Sequence, residues 1–204
     1  MNGLYLADEA LEYCLLRFSD KVKKVLDVGS GEGLHAKQFR EHNKEVVTLD
    51  ASDHWGKPDI LGSLEQSLGK VHSKGPYDLV WCSHVLEHQR NVGRFLECLH
   101  LVMREGDILA ITVPPPKHEI VGGHVTIWNT GLLLYNLVLA GFDCSKAACK
   151  AYGYNISVVL EKKTITDLQK LGLHMDSGDI EKLSRYFPLE AKQGFRGDIV
   201  RLQW

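Results

Sequence analysis

The sequence predicts an α/β protein: a doubly wound, mostly parallel sheet with helices on both faces, closed by an antiparallel C-terminal hairpin. Three observations carry this. Helix-like and strand-like segments alternate along most of the chain. The strand-like segments are continuous apolar runs, as strands covered on both faces must be. Two consecutive strand-like runs near residue 155 are joined only by a turn at Gly153.

The elements follow in order. Leu11, Cys14, Leu15 and Phe18 recur at helical spacing, with Asp8 as the expected N-cap. VKKVLDVG is a short β-branched strand ending in glycine; GLHAKQFREHN is a helix closed by Asn43; EVVTLDAS is the second strand. Residues 54–76 are polar and punctuated by Gly56, Pro58, Gly62, Gly69 and Gly75, leaving room for a short strand at 59–61 and one or two helical turns around 64–68. YDLVWCSH is the next strand. NVGRFLECLHLVMREG is an amphipathic helix with Phe95, Leu99, Val102 and Met103 as its stripe and Gly106 as its stop. DILAITV is a strand halted by Pro114, Pro115 and Pro116, and TGLLLYNLVLAG is a buried helix with Thr130 as cap. The hairpin strands are expected at 142–149 and 156–161. Residues 164–204 carry two short amphipathic helices, with caps expected at Thr164 and Ser177, then Pro188 and the strand-like GDIVRLQW. They read as an appendage of the domain formed by residues 1–163.

A chain of 204 residues suits one domain. With 44% apolar and 25% charged residues it is neither disordered nor collagen-like. A net charge of −2 announces no nucleic-acid or anionic-membrane partner. No apolar run approaches the roughly 20 residues of a membrane span, and the longest, 132–140, is broken by Asn136. MNGLYLADEALEYC lacks a cationic start and an apolar signal core, so a cytoplasmic location is expected. Five scattered cysteines without a CxxC read as reduced thiols, and ten histidines without an HExxH pattern predict no metal site.

The strongest chemical signal is Asp27-Val28-Gly29-Ser30-Gly31-Glu32-Gly33, leaving a strand and opening a helix. Glycines let the backbone turn sharply and admit a ligand closely. The spacing is GxGxG; Leu34 stands where a dinucleotide fingerprint requires its third glycine, and no P-loop lysine follows. That argues against a nicotinamide-dependent oxidoreductase. Asp27, directly before the loop, would repel a pyrophosphate and suits a ligand bearing an ammonium. Asp50 ends the second strand, where a carboxylate accepts hydrogen bonds from ribose hydroxyls; the plain alternative is a loop-capping aspartate.

VLDVGSGEG, VVTLDAS, YDLVWCSHVLEH and GDILAITVP, in this order and spacing, resemble the motifs of class I S-adenosylmethionine-dependent methyltransferases over residues 20–163. The style is that of small stand-alone enzymes with a VLEH segment after the fourth strand. The resemblance implies a Rossmann-like fold and S-adenosylmethionine as cofactor. It implies that Gly29, Ser30 and Gly31 bring backbone to the methionine part and that Asp27 lies near its amino group. Asp50 would bind the ribose, while Ala51 and Ser52 line the adenine edge. Ser63 stands where an aspartate is often found against the adenine amino group. Cys82, Ser83 and His84 would close the other side.

No DPPY or NPPY follows the fourth strand and no Pro-Cys dipeptide occurs, which argues against the commoner nucleic-acid base methylases. His84 and His88 follow the fourth strand; His118 and His124 lie beyond the fifth. Imidazole can take a proton near neutral pH, so His88 and His124 are the candidate catalytic bases. Their plain alternatives are helix capping for His88 and an ordinary loop position for His124. Among Trp55, Trp81 and Trp128, which could stack on adenine or face a sulfonium, Trp81 reads as core and Trp128 as the pocket candidate. The expected activity is methylation, at oxygen, of a small-molecule, sugar or lipid-like acceptor, free or carrier-linked. A non-catalytic cofactor-binding regulator or partner protein is the alternative, and a homodimer is an assembly compatible with the reading.

Overall fold

The computed structural model describes residues 6–204. The first five residues, part of the stretch read above as lacking a leader, lie outside the described residues. No described helix is long and apolar enough to cross a membrane.

The elements run α1 (Asp8–Arg17), β1 (Lys24–Val28), α2 (Leu34–Glu41), β2 (Glu45–Asp50), β3 (Ile60–Leu61), α3 (Leu64–Lys74), β4 (Leu79–Ser83), α4 (Val92–Val102), β5 (Ile108–Val113), α5 (Thr130–Leu139), β6 (Ala148–Tyr152), β7 (Asn155–Glu161), α6 (Asp179–Leu183) and β8 (Arg201–Leu202). One eight-stranded sheet has the order β3-β2-β1-β4-β5-β7-β6-β8. The first five strands are mutually parallel. β7 lies antiparallel to both β5 and β6, and β8 antiparallel to β6. This is the Rossmann-like sheet with an antiparallel C-terminal hairpin.

Side-chain alternation divides the core in two. Val25, Leu79, Trp81, Ile108 and Ala110 point toward α1 and α2, where they meet Leu11, Cys14, Ala36 and Phe39. Leu26, Val28, Val80, Leu109 and Ile111 point the other way, into a larger cluster with α3, α4 and α5. Burial on both faces explains the continuous apolar strands. All five cysteines are buried and unpaired.

Several local expectations are corrected. Ala7, with φ 56, stands at the N-cap of α1, and Asp8 is the first helical residue. Asn129, not Thr130, caps α5: its side chain accepts from the Leu132 amide at 2.8 Å. The Thr130 hydroxyl instead donates to the Ile199 carbonyl at 2.7 Å. α3 has 11 residues, well beyond the two turns expected, because capping by Ser63 and burial of Leu64 and Val71 outweigh Gly69. β6 starts at Ala148 rather than near 142, where Phe142 makes only an isolated bridge with Thr164. Thr164 therefore caps no helix, and the first helix expected in the appendage is a single tight turn, Leu168–Leu171. Asn43 does close α2, in the left-handed conformation at φ 59.

Residues 164–204 bury Ile180, Leu183, Phe187 and Ala191 in the larger core cluster. Asp179 is the anchor of this segment: one carboxylate oxygen accepts from the amides of His174 and Met175 at 2.8 Å each, and the other from Lys182 at 2.9 Å. The Lys182 ammonium and these amides hold its carboxyl down at about 2. The tail then crosses the start of α5, where the Gly131 amide donates to the Gly197 carbonyl at 2.8 Å.

Candidate active site

Strand order reverses between β1 and β4, so the loops leaving their carboxyl ends diverge and open a crevice. One wall is the glycine loop. Gly29 and Gly31 have φ of 75° and 50°. The amides of Gly29 and Ser30 both donate to the Leu49 carbonyl, at 2.8 and 3.1 Å, which ties the loop to the end of β2. A Cβ at Gly29 would stand 2.1 Å from the Val85 side chain, whereas one at Gly31 would meet nothing within 4 Å. Gly29 is therefore required by close packing, and Gly31 faces open space.

Asp50 braces this wall. Its carboxylate accepts from the Gly31 amide at 2.8 Å and from the Ser52 amide at 2.9 Å, linking the glycine loop to the loop after β2. Asp50 thus takes the loop-capping role, and each of its oxygens keeps further acceptor capacity. Ser52 in turn accepts from the His54 amide, and it and Ala51 are exposed at the rim. Asp27 is buried beneath the start of α2, with one carboxylate oxygen lacking any hydrogen-bond partner. Burial pushes its carboxyl up to about 7, against the pull of the Ala36 amide and Arg40.

These residues fit an amino-acid nucleoside. Asp27 offers an orphaned carboxylate oxygen, the space over Gly31 is open, and Asp50 has acceptor capacity to spare. The other expected cofactor residues divide. Ser63 spends its hydroxyl on the Gln66 amide as the α3 cap, at 3.4 Å. The Cys82 thiol is sealed in the larger core, so only its backbone faces the strand end. The Ser83 hydroxyl is buried without a partner. His84 adopts φ 55, donates from Nε2 to Asn155 Oδ1 at 3.0 Å, and brings Nδ1 to 3.3 Å from Glu87.

The second wall comes from the tight turn after β4, Leu86–His88, and the long loop after β5. The Val125 amide donates to the Glu87 carbonyl at 2.8 Å, and Thr126 Oγ1 to the Leu86 carbonyl at 3.3 Å. These bonds bring His88 and His124 together across 36 residues of chain, their ring centroids 5.0 Å apart. His118 is not part of the cavity wall that His124 lines. A cavity of about 230 Å³ adjoins them, walled by Pro114, Pro116, Val121, Trp128 and Tyr154. Trp128 is buried here with its indole N–H on Thr126 at 3.0 Å, whereas Trp81 is core and Trp55 is largely exposed.

Glu87, Tyr154 and Asn155 are the site residues that the sequence did not mark. Glu87 is a fully buried acid within VLEH, and both of its carboxylate oxygens lack hydrogen-bond partners. Nothing in an acidic residue beside a histidine signals burial. Tyr154 lies on the hairpin turn, and only strand pairing carries it to the crevice.

The family model described as a methyltransferase domain matches residues 4–136. No curated protein matches. Among solved structures, a Burkholderia thailandensis 1,6-didemethyltoxoflavin N1-methyltransferase is similar at a TM-score of 0.58, with 17% identity over 78% of each chain. The CurJ carbon methyltransferase gives 0.59 and 13% identity over 78% of this chain and 53% of that one. An O-methyltransferase family protein from Burkholderia thailandensis gives 0.56 and 12% identity over 78% of this chain and 56% of that one. At such identities the likeness is one of fold, and the fold carries methyl transfer to nitrogen, carbon and oxygen alike. With the motif order, the strand order and the family match in agreement, the chain belongs to the methyltransferase-domain family, in the class I S-adenosylmethionine-dependent group.

Proposed function

We propose that this protein transfers a methyl group from S-adenosylmethionine to a hydroxyl oxygen of a small-molecule, sugar or lipid-like acceptor. The observation that carries the choice of oxygen is a pair of imidazoles in contact, His88 and His124, of which His124 lines a largely apolar cavity. An amine arriving neutral needs little help, whereas a hydroxyl gains from a group that takes its proton.

The cofactor, when bound, supplies an electrophilic methyl on a sulfonium. The chain does the rest. Backbone at Gly29 and Gly31 admits the methionine part, Asp27 faces its ammonium and Asp50 holds the ribose hydroxyls. The proline-rich exit of β5 and Trp128 seat the apolar body of the acceptor and exclude water. His88 or His124 would take the proton of the acceptor hydroxyl as that oxygen is methylated. The small cavity admits the reacting end of an acceptor, and the exposed Ile120 and Ile127 carry its apolar lining out to the surface. That favours a lipid-like or otherwise apolar acceptor over a bare sugar.

The test is calorimetric titration with S-adenosylhomocysteine, followed by transfer of labelled methyl to a panel of phenols, sugars and amines. Binding that weakens about 10- to 100-fold in Asp50→Ala supports the cofactor assignment. Unaltered affinity removes the ribose role. Labelling of amines in preference to hydroxyls overturns the choice of oxygen.

A further inference from the structure

We infer that Glu87, His88 and His124 form a binding site for a divalent transition-metal ion, of the Zn²⁺ or Co²⁺ class, on the acceptor side of the crevice. This rests on the proposed function and deepens it: with the imidazole lone pairs spent on the ion, the ion itself would hold and acidify the acceptor hydroxyl, whose proton would leave to solvent. It departs from the expectation of no metal, which was drawn from spacing along the chain.

The donor atoms of the three residues all lie within 4.8 Å of one another. Ligands at ~2.1 Å from an ion are ~3.4 Å apart in a tetrahedral shell, so closure requires a contraction of up to about 1.4 Å. Glu87 is the independent observation. Its side chain has no exposure, yet neither oxygen has a hydrogen-bond partner. Burying a carboxylate in that state is costly unless a positive charge faces it. The nearest candidates are imidazoles: His84 Nδ1 at 3.3 Å and His88 Nε2 at 3.9 Å, the former a contact without hydrogen-bond geometry.

His88 is prepared as a ligand. Its Nδ1 meets the Gly123 carbonyl at 2.9 Å, so that nitrogen carries the proton and Nε2 presents its lone pair toward Glu87. This outer hydrogen bond to a carbonyl is the arrangement that orients metal-bound imidazoles. A side chain at Gly123, where φ is 82°, would press on the same ring at 3.1 Å. The Glu87 carbonyl, accepting from Val125 at 2.8 Å, fixes the loop that carries His124. Two imidazoles and one carboxylate select Zn²⁺, Co²⁺ or Mn²⁺ over Mg²⁺ and Ca²⁺, which prefer all-oxygen shells. The half-open position of His88 and His124 leaves room for an acceptor oxygen in the remaining coordination positions.

The test uses the untagged full chain, stripped with a chelator and titrated with Co²⁺ while visible d–d absorption is recorded, then with Zn²⁺ in competition. One Co²⁺ per chain, displaced by Zn²⁺ and not by Mg²⁺, is expected. Glu87→Gln and His124→Ala should each weaken binding at least about tenfold, with circular dichroism unchanged. Should either variant lose its fold, His88→Gln serves in its place. No Co²⁺ or Zn²⁺ uptake at about 100 µM, or uptake indifferent to the variants, overturns the site. S-adenosylhomocysteine is titrated on the same samples. Its binding without Co²⁺ uptake overturns the ion site alone, and Co²⁺ uptake without its binding overturns the methyl-transfer reading beneath it.

Discussion

The two walls of the crevice are built on different principles. The wall proposed for the cofactor is backbone: a glycine turn bound to the end of β2 and braced by Asp50 across 19 residues. The acceptor wall is side chain: Glu87, His88 and His124 are brought together by a loop that returns over the turn after β4. A backbone wall tolerates almost no change at its bends and much change beside them. A side-chain wall tolerates change in its loop, provided that the bonds to Leu86 and Glu87 persist. This difference suits a family whose cofactor is constant and whose acceptors vary.

Five substitutions would break or sharpen that contrast. Gly29→Ala should abolish measurable cofactor binding, since the added methyl collides with Val85 and the residue sits at φ 75°; calorimetry that finds near-normal affinity would show that the wall yields. His88→Ala and His124→Ala should each lower kcat by about 10²–10⁴ while leaving cofactor affinity within about threefold. Rates equal to the parent in both would move the chemistry elsewhere.

Asp27→Asn should separate stability from binding. The Asp27 carboxyl ionises at about 7 in the folded chain against 3.8 in its ordinary state. The folded state therefore holds the extra proton between those values, and the stability from this group is complete below the lower one. It is lost as pH rises through the upper one. Thermal unfolding of the cofactor-free parent should thus fall from about pH 5 to about pH 8 relative to Asp27→Asn, with a gap of about 1–3 kcal/mol at the upper end. The same variant should bind the cofactor more weakly. Parallel unfolding curves across that range would show that the buried oxygen is satisfied after all.

The smallest effect is expected far from the crevice. Lys162 is buried and donates to the carbonyls of His100 and Met103 at 2.8 Å each, completing the open end of α4. Lys162→Met should cost about 1–3 kcal/mol in denaturant unfolding and leave cofactor affinity unchanged. A change in affinity would mean that α4 transmits strain to the turn after β4.

Much of this molecule was legible in its order of residues. Apolar runs marked the strands, and Gly29, Gly31 and Asp50 marked the tight turn after β1 and its brace, because short-range backbone geometry writes itself into glycine spacing and strand ends. Helix starts were less legible: Asp8 and Thr130 look like caps, yet Ala7 and Asn129 hold those places. Several short polar residues in a row can each serve, and packing chooses among them. The length of α3 was underread for a related reason, since Gly69 costs about 1 kcal/mol in a helix and the burial of Leu64 and Val71 outweighs it.

The sequence by itself determined the class of fold and the glycine turn at the end of β1, since both depend on patterns a few residues long. Only the tertiary structure decided the acceptor side. It alone buried Glu87, turned His88 by a hydrogen bond to Gly123, and carried His124 and Tyr154 to the same cavity. Distance along the chain says nothing about which side chains a returning loop and a sheet edge place within reach, and a carboxylate's environment exists only once its neighbours have closed around it.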